Sequence, residues 1–236
     1  MLISMKKTKY SISVITIAKN EEKTIEKVVQ SSVNVLSKIA NRYEILVNDD
    51  ASSDSTSQIL ETLAKRNSSI KVFHQKKSLG IADGVEFLYS KVHYDLIFIN
   101  PGDGQYSIHD LPSMIKKIDA GYDFVVGKRV NKKYDLQRKI ISFSFNFIPG
   151  ILFGVKLYDA GSTKLYKKKV LQDTKPSSQG VFGEAERIIL ANRLGYKVTS
   201  VPVRHFSRKG GVATGARFNL IHEAFIDMIK FGLKLH

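Results

Sequence analysis

Short apolar runs rich in β-branched residues recur along the first half of the chain, and each stops at polar or glycine-containing residues before a helical pattern begins. The runs are residues 11–17, 43–47, 70–73, 96–99 and 124–126. Between them lie Ile25, Val28, Val29, Leu36 and Ile39, then Ile59, Leu60, Leu63 and Ala64, then a helix opening at Gly80 and running through Leu88, then residues 111–118. Strands that alternate with helices in this way feed a mostly parallel sheet flanked by helices, so the expected class is α/β.

Open sheets of this kind hold their ligand in the crevice at the carboxyl ends of the strands, so the residues just past each run carry the functional expectation. The run 96–99 breaks at Asn100-Pro101-Gly102 and is followed by Asp103 and Gln105. A carboxylate and an amide oxygen there can help hold a divalent cation whose other ligands come from a diphosphate and water; the alternative is an aspartate that only stabilises its turn. The run 43–47 leads into Asn48-Asp49-Asp50, whose carboxylates can accept hydrogen bonds from a nucleotide base or ribose. Alternatively they join Ser53 and Asp54 in satisfying backbone donors before a helix. The run 11–17 ends at Ala18-Lys19-Asn20-Glu21-Glu22, where Asn20 is expected to cap the next helix, as Asp110 is for residues 111–118. No P-loop, dinucleotide fingerprint or HExxH pair is present.

Beyond residue 127 the alternation loosens. A basic loop is expected at 128–139, with Arg129, Lys132, Lys133, Arg138 and Lys139; a half-apolar helix at 140–155; a turn at 157–164 into a strand at 163–166. A helix at 183–194 carries Glu184, Glu186 and Arg187, a strand follows at 197–203, then a polar loop at 204–215 and an amphipathic helix at 216–233. The expected organisation is a flexible basic start over residues 1–9, one large domain over 10–215 and a C-terminal amphipathic helix over 216–236. The formal charge of +15 asks for an anionic partner: nucleic acid, a phosphorylated small molecule or a negatively charged membrane. No nucleic-acid-binding motif accompanies it, so no nucleic acid partner is expected. The absence of cysteine excludes disulfides and thiolate metal sites and fits a reducing cytoplasm. No apolar run reaches the roughly 20 residues of a membrane-spanning helix. The stretches 140–155 and 216–233 are either core or a subunit contact in a homo-oligomer, or they attach the protein to one membrane leaflet. In the second case Phe143, Phe145, Phe147 and Phe153 lie in the lipid interface beside the basic loop.

Taken in order, Asp49-Asp50-Ala-Ser-Ser-Asp54-Ser-Thr56, Gly80-Ile-Ala82-Asp-Gly84, Gly102-Asp103-Gly-Gln105, Gly127-Lys-Arg129, Asp159-Ala-Gly161-Ser-Thr-Lys164, Glu184, and Gly195 through Pro202 with His205 and Arg208 resemble glycosyltransferase family 2. The resemblance is nearest to its dolichol-phosphate mannosyltransferase-like, or polyprenyl-phosphate glycosyltransferase, branch and covers roughly residues 10–215. It implies a GT-A, Rossmann-like fold, a UDP- or GDP-sugar donor, Mg2+ or Mn2+, and inverting transfer to undecaprenyl or dolichyl phosphate at the cytoplasmic membrane face. Within it Ala18, Asn20, Glu21, Asp49, Asp50, Gly80 and Gly102 would line the donor. Asp103 and Gln105 would hold the metal, and Arg129 and Arg208 would meet phosphate groups. His205 would position its loop. The family pattern reads Asp-x-Asp-x-Gln here, and Pro101 stands at its first aspartate, so one metal ligand is missing. Asn100 or Asp50 could substitute. Two alternatives follow: a sugar hydroxyl acceptor in cell-surface polysaccharide synthesis, which would need a base for which Glu184 is the candidate, or a sugar-nucleotide-binding protein with degraded catalysis. Glu184 could equally be a helix-start carboxylate favoured by the macrodipole.

Overall fold

The computed structural model describes residues 7–130, 147–178, 180, 182–208 and 218–234, with the side chains of 218–222 outside that description. Seven strands form one sheet: β1 (Ile12–Ala18), β2 (Tyr43–Asp49), β3 (Ile70–His74), β4 (Leu96–Ile99), β5 (Phe124–Val130), β6 (Lys164–Lys167) and β7 (Val198–Arg204), in the order β3-β2-β1-β4-β6-β5-β7. Every pairing is parallel except those of β6, which runs antiparallel to both β4 and β5. The helices are α1 (Ile25–Ile39), α2 (Thr56–Arg66), α3 (Gly80–Tyr89), α4 (Leu111–Asp119), α5 (described over 147–153), α6 (Lys168–Asp173), α7 (Gly183–Arg193) and α8 (Phe218–Lys234).

Helices cover both faces of the sheet, which is why the strands read as continuous apolar runs; all four residues of β4 are buried. On one face Ile25, Val29 and Leu36 of α1, Leu60 of α2 and Met114 of α4 meet Val14, Val47 and Phe98. On the other, Leu88 of α3, Val170 of α6 and Ile188 of α7 meet Ile15, Leu46, Ile97 and Phe124. Ala224, Met228 and Phe231 of α8 join this second core, so the final helix packs on the large domain.

The expected elements form with several corrections. Asn20 does not cap α1: it has φ 55, its Oδ1 accepts from Ser53 N at 2.8 Å, and the helix begins only at Ile25. Asp110 makes no side-chain cap either; Ser107 Oγ accepts from His109 N and starts a 3-10 turn over Ile108–Asp110 that leads into α4. The strand expected at 124–126 continues to Val130, because Lys128, Arg129 and Val130 pair with β7, so the expected basic loop begins inside a strand. Helix α6 was not anticipated; its six residues are too few to display a helical period. Residues 131–146 and 209–217 lie outside the described residues, and with them Lys132, Lys133, Arg138, Lys139, Phe143 and Phe145.

Candidate active site

Because β1 lies between β2 and β4, the carboxyl ends of these strands bring the two acidic loops to one rim on either side of Ala18. Asp50 N donates to Ala18 O at 2.9 Å, and Gly102 N donates to Ile17 O at 3.0 Å. Glycine is required at 102 by this closeness: a Cβ there would stand 2.9 Å from Ile17 O and 3.2 Å from the Ala18 Cβ.

Glu21, buried in the turn between β1 and α1, ties the rim together. Its backbone N–H donates to Thr56 Oγ1 at 2.8 Å, and neighbouring Thr24 Oγ1 donates to Gly102 O at 2.8 Å. Its Oε1 forms an ion pair with the Arg208 guanidinium. Burial raises the Glu21 carboxyl above its ordinary value; Arg208 offsets part of the rise and the nearby Asp103 charge adds to it. The segment carrying Arg208 lies along the loop of Asp103: Phe206 N donates to Gln105 O at 2.9 Å, Gln105 Nε2 donates to Phe206 O at 3.3 Å, and the rings of His205 and Tyr106 meet edge-on at 5.4 Å. Asp103, Gln105, Glu21 and Arg208 are thus brought into one neighbourhood.

A divalent cation would find a thin set of ligands here. Asp103 Oδ1 accepts from Gln105 N at 3.0 Å, the turn-stabilising bond expected of it, and Pro101 has no side-chain oxygen. Asn100, one possible substitute, directs its Nδ2 to Ser32 Oγ at 3.2 Å, and its Oδ1 has no hydrogen-bond partner but is buried away from solvent. Asp50, the other, is engaged by the start of α3, where Ser78 Oγ and Leu79 N each donate at 2.6 Å and Gly80 N at 3.3 Å. Among the described residues no group of three or more His, Asp or Glu could hold a metal ion. These side chains do not make a divalent-metal cage.

Asp49 is occupied as well. Burial alone would raise its carboxyl, but donation from Ser52, Ser57 and His74 outweighs burial and lowers it. His74 bridges Asp49 and Glu61 at 2.8 Å to each; burial opposes its charged form, but the two carboxylates prevail and raise its pKa. Arg129 on β5 is clamped by Asp159: its Nη2 donates to Oδ1 at 2.6 Å, and its Nε and backbone N donate to Oδ2 at 2.9 and 3.1 Å.

Glu184, in the first turn of α7, accepts from Tyr166 Oη at 2.6 Å and stands 3.1 Å from Lys164 Nζ and 3.6 Å from Arg187 Nε. Burial would raise its carboxyl, but Lys164 and Arg187 reverse the shift and hold it at about 2. The β4–β6 register puts Leu165 opposite Phe98, so Lys164 lies near the carboxyl end of β4, and Thr163 Oγ1 donates to Ile99 O.

With that geometry in place, residues 13–174 match the family model described as glycosyl transferase family 2. The chain belongs to glycosyltransferase family 2. Among proteins similar to this family 2 chain is a dodecaprenyl-phosphate galacturonate synthase of Rhizobium johnstonii, 27% identical over 202 residues, 82% of this chain and 58% of that protein. Another is an undecaprenyl-phosphate 4-deoxy-4-formamido-L-arabinose transferase of Salmonella choleraesuis, 25% identical over 214 residues, 89% of this chain and 64% of that protein. The chain therefore spans roughly three-fifths of the length of these relatives. Its fold is GT-A: glucosyl-3-phosphoglycerate synthase from Mycobacterium tuberculosis, solved with Mn2+, UDP and phosphoglyceric acid, superposes with a TM-score of 0.73 at 16% identity, covering 95% of this chain and 79% of that one.

Sequence reasoning on this family 2 member missed the buried cluster around Glu184. Arg187 was named only as a residue of its helix, and its contacts with Glu86, Thr174 and Tyr89, like the Tyr89–Tyr166 pair beside it, were not foreseen. One signal was present: Arg187 follows Glu184 by three residues, the spacing at which helix neighbours pair.

Proposed function

We infer that this glycosyltransferase moves a sugar from a nucleoside diphosphate to the phosphate of a polyprenyl lipid, with inversion. The observation that carries the reading is the engagement of Glu184, which accepts from Tyr166 Oη at 2.6 Å and lies against Lys164 Nζ and Arg187 Nε. A carboxyl held at about 2 by Lys164 and Arg187 is a poor general base at neutral pH, because an effective base has its pKa near the working pH. An acceptor that attacks without losing a proton fits such a site, and a phosphate monoester is already anionic. The names of the two bacterial relatives support the same acceptor class.

The acceptor phosphate oxygen supplies the electron pair for the new bond to the anomeric carbon, and the bond from that carbon to the donor's β-phosphate oxygen breaks on the opposite face. The electron pair leaves with the nucleoside diphosphate, which gains the negative charge that the acceptor loses. No proton changes hands. The protein's work is alignment and stabilisation of the departing diphosphate. Asp49 and Asp50 shape the nucleotide end of the crevice, Asp103 and Gly102 its diphosphate end, and Arg208 faces the leaving group. Arg129, fixed by Asp159, orients the acceptor side. Mg2+ or Mn2+, implied by the family resemblance, would find Asp103 as its one carboxylate, so no step is routed through a metal.

Glu184→Gln tests the acceptor. With a short-chain polyprenyl phosphate and a panel of UDP- and GDP-sugars, kcat should fall by less than about tenfold. A general-base role would cost about 10²–10⁴-fold, and a loss of that size would refute the phosphate acceptor. Pro101 favours one other reading, a sugar-nucleotide-binding protein without turnover, which the same assay recognises as binding with no product.

A lipid acceptor requires a membrane-facing surface. Ile151 and Leu152 of α5 and Phe225, Ile229 and Leu233 of α8 are exposed, the two helices touch through Phe153 and Phe231 at 5.3 Å, and Lys156, Lys230 and Lys234 are exposed nearby. Phe153, expected at the lipid interface, is thus partly spent on the contact between the helices. Among the described residues no helix is long and apolar enough to cross a membrane. This face supports attachment to one leaflet, proposed as the cytoplasmic one. The protein should float with phosphatidylglycerol vesicles at low salt, and the double variant Leu152→Glu, Ile229→Glu should lower that partition by about tenfold or more. Partition unchanged by the double variant would remove this face from the proposal.

A further inference from the structure

The missing aspartate at Pro101 lies beside a cation that the protein itself supplies. In this neighbourhood Asp103 is the carboxylate left for a metal, since Asp50 holds the start of α3 and Glu21 is paired with Arg208, while the Asn100 Oδ1 is an amide oxygen sealed from solvent. A metal bound between Glu21 and Asp103 would have to displace a guanidinium from a buried carboxylate. Resting on the donor reading above, we propose that Arg208, positioned by Glu21, supplies the counter-charge for the donor's diphosphate, so that nucleotide binding in this chain does not depend on a divalent metal.

Three features support the assignment. Arg208 is three-quarters buried, with 25% of its side chain exposed, so its charge acts where water screens it little. A guanidinium stays protonated and presents a planar fork of five N–H donors that matches phosphate oxygens, and Glu21 meets it at Nη2. Its place is set from both sides: Glu21 fixes the guanidinium, and the Phe206–Gln105 backbone bond fixes the segment that carries it two residues from Asp103. The chain's excess of cations, +15, provides a surrounding field that favours an anionic ligand. Glu21 acts here through Arg208 and is a positioning residue.

Titration calorimetry with UDP and GDP, each in EDTA and in MnCl2, tests the proposal on the unaltered protein, with UMP and GMP as controls that lack the β-phosphate. The diphosphate that binds should do so with affinities within about threefold in the two conditions. Arg208→Gln should weaken it by about tenfold or more in EDTA, as expected for loss of a charge-assisted contact, while its monophosphate binds as before. Glu21→Gln should weaken the diphosphate selectively in the same way; equal losses for mono- and diphosphate would mean that Glu21 is only structural. Pro101→Asp restores the missing carboxylate and should make diphosphate affinity rise with Mn2+. A fall of about tenfold or more for the unaltered protein in EDTA overturns the metal-free assignment and leaves the donor reading standing. Failure of both diphosphates to bind in either condition overturns both.

Discussion

Arg187→Met should destabilise the fold by roughly 3–5 kcal/mol, the usual consequence of removing one partner from a buried ion pair. For a chain of this size that is roughly 6–20 °C in melting temperature, at about 2–4 °C per kcal/mol. Arg187 is fully buried and joins three elements: Glu184 on its own helix, Glu86 on α3 and the Thr174 carbonyl after α6, with the guanidinium 4.9 Å from the centre of the Tyr89 ring. Methionine keeps much of the stem volume, so the loss reports on charge rather than on a cavity. The Glu184 carboxyl would keep Lys164 and the Tyr166 hydroxyl, so adding Glu184→Gln should cost further stability, because it takes the carboxylate away from the buried Lys164 ammonium. The pH dependence has a definite sign. Folding lowers Glu184 from its ordinary 4.5 to about 2, so its stabilisation is complete above 4.5 and is lost as pH falls toward 2. Thermal melts of the native and single-variant proteins between pH 7 and 3 should converge on acidification; a constant gap would mean that the ion pairs contribute little.

Gly102→Ala should abolish most turnover while leaving the protein folded. The added Cβ would meet the Ile17 carbonyl oxygen at 2.9 Å, and backbone cannot rotate away as a side chain can. Relief requires the loop to shift, which weakens the Gly102 N–H bond to Ile17 O and the bond that Gly102 O accepts from Thr24. Overpacking of this kind costs about 1–3 kcal/mol, which a domain survives. A displacement of about 1 Å at Asp103, however, is expected to lower kcat/KM by about 10²-fold. Circular dichroism with single-turnover assays separates the two effects. Full activity in a folded variant would show that the position of this loop is not critical.

Much of the fold was readable in order along the chain. The βα alternation located β1 to β5 to within a few residues, because a strand buried on both faces and a helix with one apolar stripe have local periods that any window shows. The rim was readable too, since sharp ends at Asn48 and Asn100 identify strand termini. The caps were read less well: Asn20 and Asp110 have the right chemistry, but Asn20 was taken up by Ser53 from another loop, and Asp110 entered a 3-10 turn.

By itself, the sequence determined which segments are strands, which ends of them are acidic, and that proline stands at position 101 beside one of those ends. Only the tertiary structure decided that β6 inserts antiparallel between β4 and β5, and that Glu184 is held by Lys164 and Arg187. It also decided that Arg208 reaches Glu21 across 187 positions of chain. The reason is one of range. Periodicity and turn chemistry act over a few residues and are written in order. An ion pair or a pKa depends on which distant groups are brought within a few ångströms in low dielectric, and that follows from strand order and register.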